Sequence, residues 1–253
     1  MKNKIIRFFT MSRTERKYKF RSKFFPHSIT SELYGDYLRY KGVVIGKGTF
    51  FFDPCNTGVD VQRPWMLRIG SYCKITSGVS ILTHDYSRSV IRRAYNDIIG
   101  EAGITIISDN VFIGINTTIL MGSYIGENTI IGAGSVVRGS FPPNVVIAGN
   151  PAKVIMTLEE YYKKLKDRNE DSGLLYLKEY YKKYNRIPKA SEMGPFFPLF
   201  LEKTTKALKD NEIWTAWNGD DEAEIIQAFL SNSSKKYSSY EEFVKRALSQ
   251  QGD

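Results

Sequence analysis

Histidine and cysteine are both scarce: the 253 residues hold two of each, His27 and His84, Cys55 and Cys73. Two cysteines cannot build a disulfide framework, and neither sits at a metal-ligand spacing. Long apolar runs are also missing. The longest, such as 43–45 and 104–107, fall far short of the roughly 20 apolar residues of a membrane-spanning helix. The opening stretch, with Ile5, Ile6, Phe8 and Phe9, lacks the continuous apolar core and small-residue cleavage site of a signal peptide. The expectation is a cytoplasmic protein.

Acidic residues are rare at the start of the chain. Residues 1–30 hold Lys2, Lys4, Arg7, Arg13, Arg16, Lys17, Lys19, Arg21 and Lys23 against the single acid Glu15, which accounts for most of the net charge of +9. Such a stretch, interspersed with Phe, suits an anionic membrane surface, or a solvated helix face packed on a neighbouring subunit. Nucleic acid is not an expected partner, because no recognition motif accompanies the charge.

What is abundant is a repeat of six. A large apolar residue opens each six at Ile45, Phe51, Ile69, Ile75 and Ile81, and again at Ile107, Ile113, Ile119, Ile125 and Ile131. Small residues fill the fifth place: Thr49, Cys55, Cys73, Val79, Val111, Thr117, Ser123, Thr129 and Ser135, with Asp85 the exception. A helix face recurs at 3.6 residues and a half-buried strand at 2. A period of six describes a short flat strand followed by a corner, three to a coil, with coils stacked as a solenoid. Gly46, Gly70, Gly114, Gly126 and Gly132 occupy the second place, where a turn with unusual dihedrals is expected. The second run of sixes is out of phase with the first by two residues, so 85–106 must leave the coil as a projecting loop. Thr57 to Pro64 is expected to form a smaller bulge.

The sixes resemble those of the hexapeptide-repeat acyltransferases. Residues 69–87 (IGSYCKITSGVSILTHDYS) look like that family's catalytic-histidine segment; 110–114 (NVFIG), 131–137 (IGAGSVV) and 142–146 (PPNVV) are similar to its later coils, and 148–155 (AGNPAKVI) to its closing motif. The resemblance covers 41–155 and is strongest to sugar and capsular-polysaccharide O-acetyltransferases. It implies an all-β core, a left-handed parallel β-helix over 41–155 with the projecting loop 85–106. A basic helical or irregular lead-in, 1–40, precedes it, and a mainly helical extension, 156–253, follows.

The implied activity is transfer of an acetyl group from acetyl-CoA to a sugar hydroxyl of a surface polysaccharide or its precursor, in a homotrimer. His84 holds the fourth place of its six, so its side chain is expected to face outward, as a base for the hydroxyl proton. Asp85 is the candidate to orient it. The resemblance implies CoA contacts through the main chain at Ile115 and Ala133, and Arg138 and Lys153 near the phosphates. Phe112 stands where the family often has tryptophan. Asn56 and Asp60 are candidate sugar ligands, in a turn-rich stretch where Asn and Asp also serve the backbone. No metal is expected: a zinc hydratase on this scaffold resembles three-histidine sites, and only His84 lies in the repeats. Two other functions fit the same scaffold: an N-acetyltransferase acting on an amino-sugar nucleotide, and a non-catalytic assembly protein. If the acceptor is lipid-linked, residues 1–30 are placed to hold the protein at the inner membrane face.

Beyond the repeats, the capping-box spacing of Thr157-Leu158-Glu159-Glu160 predicts a helix to about Arg168. Further helices are expected over 220–230 and 243–248, around an irregular middle marked by Pro188, Pro195 and Pro198.

Overall fold

A computed structural model describes residues 12–215, 218–232 and 235–249. The chain divides into two compact units, Met1–Glu159 and Glu160–Asp253.

In the first unit, short strands wind into stacked three-sided coils, a left-handed parallel β-helix. The first coil comprises β1 (Val44–Ile45), β2 (Phe50–Phe51) and β3 (Gly58–Val59); the second, β4 (Leu67–Ile69), β5 (Lys74–Ile75) and β6 (Ser80–Ile81). After the projecting loop come β7 (Thr105–Ile107), β8 (Phe112–Ile113) and β9 (Thr118–Ile119), then β10 (Tyr124–Ile125), β11 (Ile130–Ile131) and β12 (Val136–Val137). β13 (Ser140–Phe141) and β14 (Val145–Gly149) start a fifth coil, and β15 (Ala152–Thr157) folds back on β14 antiparallel. Every other pairing is parallel, between corresponding strands of successive coils, which yields three faces.

The opening residues of the sixes form the buried column: Phe51, Ile69, Ile75, Ile81, Ile107, Ile113, Ile119, Ile125 and Ile131 are all essentially inaccessible. The small fifth-place residues Cys73, Val79, Val111, Thr117, Ser123, Thr129 and Ser135 are buried beside them. Their hydroxyls are satisfied at the corners; Thr129 Oγ1 donates to Gly126 O at 2.7 Å and Ser135 Oγ to Gly132 O at 2.6 Å. Cys73 is a buried filler, as expected, whereas Cys55 is only half-buried.

The second-place glycines have a different cause from the one expected. None has positive φ. They sit where successive coils touch: a Cβ on Gly126 would lie 2.4 Å from Pro143 N, and one on Gly114 2.6 Å from Ala133 N. The left-handed backbone falls instead at the fourth place, at Gly48, Tyr72, Gly78, Asn110, Asn116, Gly122, Asn128 and Gly134. Asparagine and glycine tolerate that region best, and Asn110, Asn128 and Asn144 form a ladder of side-chain hydrogen bonds at 2.9 and 3.0 Å.

A stack of coils exposes an apolar cross-section at its ends, and a lid removes it. The lead-in supplies one. Helix α1 (Arg13–Phe24) is capped by Ser12, and α2 (Ser31–Lys41) is capped by Thr30 and stopped by Gly42 at φ 105°. Tyr34 and Leu38 of α2 lie in the same core as the coils; the Tyr34 ring meets Phe51 edge-on at 4.9 Å and its hydroxyl donates to Thr57 O at 2.8 Å.

The projecting loop carries a short helix, α3 (Arg88–Tyr95). In the second unit, α4 (Leu158–Tyr184) runs well beyond the expected end near Arg168; within it, Gly173 lets Leu199, Phe196 and Phe243 pack closely against the helix. Pro195 and Pro198 lie in a 3-10 segment, Ala190–Leu199. Helices α5 (Thr205–Asp210), α6 (Glu222–Asn232) and α7 (Tyr240–Ser249) complete the unit around Leu177, Met193, Phe197, Phe200 and Phe243.

Candidate active site

His84 lies three residues beyond the end of β6, where the chain leaves the coil. Its place in the six is the fourth, which in eight of the other sixes takes the left-handed corner; His84 does not, and the backbone departs into the loop. Its side chain is partly exposed, at 26%.

The register of the third face places a carboxylate beside it. Gly58 pairs with Ser80 and Val59 with Ile81, so Asp60 continues the first coil directly under Leu82. The Asp60 N–H donates to Ile81 O at 2.9 Å. Asp60 Oδ2 accepts from the Thr83 N–H at 3.0 Å and from Thr83 Oγ1 at 2.5 Å, and contacts His84 Nδ1. Oδ1 accepts from the Gln62 N–H at 2.8 Å. Asp60 is nearly buried, with 9% of its side chain exposed. Burial pushes its carboxyl pKa up, but the hydrogen bonds from Thr83, Gln62 and His84 outweigh that and hold it at about 2. An ionised carboxylate only accepts, so His84 Nδ1 carries a proton and donates; in the neutral imidazole Nε2 is then the acceptor.

Asp85, the sequence candidate for this orienting position, belongs to the loop. It is exposed, and its carboxylate accepts the Ser87 N–H at 2.6 Å, which lowers its pKa. Arg88 donates to the Asp85 carbonyl at 2.6 Å and to Glu101 Oε2 at 3.4 Å, while Arg63 reaches the Glu101 carbonyl at 2.8 Å, so the loop is tied at both ends. Neighbours in sequence diverge at a corner; neighbours in register do not.

Asn56 is exposed and engaged locally: its Nδ2 donates to Asp53 Oδ2 at 2.7 Å and its N–H to Asp53 Oδ1 at 3.3 Å, a turn-stabilising arrangement.

The remaining positions border the third face. Ile115 and Ala133 precede β9 and β12, one coil apart; Gly114 N–H donates to Ile131 O at 2.9 Å and Gly134 N–H to Ile115 O at 2.8 Å. Both residues are exposed. Lys153, also exposed, lies on β15 opposite Ala148, the residue stacked on Gly132. Arg138 is on the far edge of that face, where Asp60, Leu82, Leu120 and Arg138 occupy matching places in four successive coils. Arg138 is exposed and two coils from Leu82, about 10 Å along the stack. Among the described residues, no group of three or more His, Cys, Asp or Glu is arranged to hold a metal ion.

Asp60's contact with His84 was missed in the sequence because the third strand of the first coil begins two residues later than a strict six places it. Moving that strand to Gly58–Val59 puts Asp60 one coil below Leu82.

The model of the bacterial transferase hexapeptide (six repeats) family matches residues 104–139. The chain is 37% identical to protein CapG of Staphylococcus aureus over 143 residues, 56% of this chain and 82% of that protein. It is 33% identical to putative acetyltransferase YvoF of Bacillus subtilis over 138 residues, 54% of this chain and 72% of the relative. It is 51% identical over 55 residues to the putative lipopolysaccharide biosynthesis O-acetyl transferase WbbJ of Escherichia coli, a match spanning 22% of this chain and 28% of that one. With its coils, its repeat and relatives matched over most of their length, the chain belongs to the hexapeptide-repeat transferase family and is an acetyltransferase.

Proposed function

We propose that the protein transfers the acetyl group of acetyl-CoA to a hydroxyl of a sugar, in a surface polysaccharide or its precursor, with His84 as general base. The observation that carries this is the Asp60–His84 pair at the mouth of the projecting loop. Asp60 holds the imidazole with its proton on Nδ1, so Nε2 takes the proton of the acceptor hydroxyl as the oxygen attacks the thioester carbonyl. The C–O bond forms, the C–S bond breaks, and His84 returns the proton to the departing thiolate. Asp60 stabilises the imidazolium between those steps, and it is a positioning residue rather than the sugar ligand first expected.

Ile115, Ala133, Arg138 and Lys153 are proposed to hold CoA. Ile115 and Ala133 offer main-chain contacts on one edge of the third face, and the exposed cations suit the cofactor's phosphates. A homotrimer, with CoA between neighbouring β-helices, follows from the family resemblance. The sugar acceptor is supported by the likeness to a relative named as a lipopolysaccharide O-acetyl transferase. No described helix is long and apolar enough to cross a membrane.

Purified protein incubated with acetyl-CoA and either oligosaccharides or amino-sugar nucleotides, with product mass determined, tests this. O-acetylated oligosaccharide is the expected product. N-acetylated nucleotide would replace the reading with amine transfer, and full biological activity of H84A would make the β-helix a platform.

A further inference from the structure

Helix α1 has two unlike faces. At about 100° per residue, Glu15, Tyr18 and Ser22 share one side, and Arg13, Lys17, Phe20 and Phe24 share the opposite side. Lys23 and Arg16 flank the second group.

The first face is anchored. Tyr18 stacks on Tyr37 with ring centroids 3.9 Å apart, and Glu15 accepts from Lys41 at 2.7 Å and pairs with Lys19 at 2.9 Å. The one acid of the lead-in's first 31 residues is therefore buried and neutralised, and the outward face carries no negative charge.

The second face is unusual for a surface. Phe20, Phe24 and Phe25 are 52%, 56% and 58% exposed, yet they cluster, with Phe20 5.1 Å from Phe24 and 6.0 Å from Phe25. Lys23 Nζ lies 5.1 Å from the Phe24 ring centre. Scattered surface apolar residues need no explanation, but a contiguous aromatic cluster rimmed by charge of one sign does. The preceding sequence has the same character, with Lys2, Lys4 and Arg7 among Ile5, Ile6, Phe8 and Phe9.

We propose that this face of α1, with Phe25, docks the protein on an anionic lipid surface. The phenylalanine rings enter the boundary between headgroups and acyl chains, while Arg13, Arg16, Lys17 and Lys23 lie among the anionic headgroups. Neither group suffices alone. The charge complementarity selects an anionic bilayer over a second copy of this chain, whose matching face would be equally cationic. The proposal stands apart from the chemistry at His84, since no residue of the face belongs to that site.

Flotation of the full chain with vesicles separates the outcomes. The protein is expected to rise with vesicles of phosphatidylcholine and phosphatidylglycerol but not with phosphatidylcholine alone, and binding should fall as salt is raised. R13E/K17E/K23E should weaken partitioning by about a hundredfold or more, from about 1 kcal/mol per cation near the surface. F20S/F24S/F25S should abolish it while leaving soluble-acceptor turnover unchanged. The charge variant alters exposed positions only and carries the test if the phenylalanine variant fails to fold. Failure of the wild type to float with phosphatidylglycerol, equal binding to neutral vesicles, or unchanged binding by the charge variant overturns the proposal. So does a loss of oligomer mass in F20S/F24S/F25S by sedimentation velocity, which would make the cluster a subunit contact.

Discussion

Asp60 and His84 are 24 residues apart in sequence yet meet through one hydrogen bond, because each closes the third face of its coil and the coils stack in register. Consequences for activity, stability and reactivity follow from that stacking.

Replacing Asp60 with Asn keeps the shape but not the acceptor. The amide offers one acceptor oxygen where the carboxylate serves Thr83, Gln62 and His84, and it can hold the imidazole in the wrong tautomer. Turnover of D60N should fall by several orders of magnitude, with about 10⁴ the limit seen for an equivalent change in a serine protease. D85N should stay within a few-fold of wild type, since Asp85 serves the loop. Comparable losses in both variants would contradict the assignment.

Asp60 also links stability to pH. Its carboxyl titrates at about 2 in the folded protein and near 3.9 in an unfolded chain. A depressed folded value means that the stabilisation is complete above the unfolded pKa and is lost as pH falls through the folded one. It amounts to about 2 kcal/mol at neutral pH. The difference in urea-unfolding stability between wild type and D60N should shrink as pH falls from about 5 to 2. A difference that widens as pH falls from about 5 to 2 would exclude an ionised Asp60.

Much of this architecture is written in the repeat. The period of six located nine of the ten residues of the column, Ile45 of the first coil being only half-buried. Two things escaped. The first coil departs from the period at its third strand, so Asp60 read as a turn residue near Asn56. The second-place glycines suggested unusual dihedrals, whereas their cause is contact between coils, which only stacked coordinates show.

Those glycines yield a stability test. G126A must push a Cβ into the Pro143 backbone, whereas Gly134 has open space at that position but a φ of 69°. G126A should cost about 1–3 kcal/mol or more through overpacking, and G134A about 1–2 kcal/mol through the left-handed backbone. Thermal unfolding should rank G126A at or below G134A. A fully tolerated G126A would mean that the coils do not close as described.

Burial raises the thiol pKa of both Cys73 and Cys55. Cys73, fully enclosed, should resist iodoacetamide until the protein unfolds, while the half-exposed Cys55 reacts slowly in the native state. Rapid native labelling of Cys73, read by peptide mass, would show an open coil.

The steady-state rate of CoA release by H84A, with acetyl-CoA and a productive glycan acceptor, tests the central claim most directly. Loss of the base should lower kcat by about 10²–10⁴-fold, with the circular dichroism spectrum unchanged. A correctly folded H84A that turns over at the wild-type rate would contradict the account.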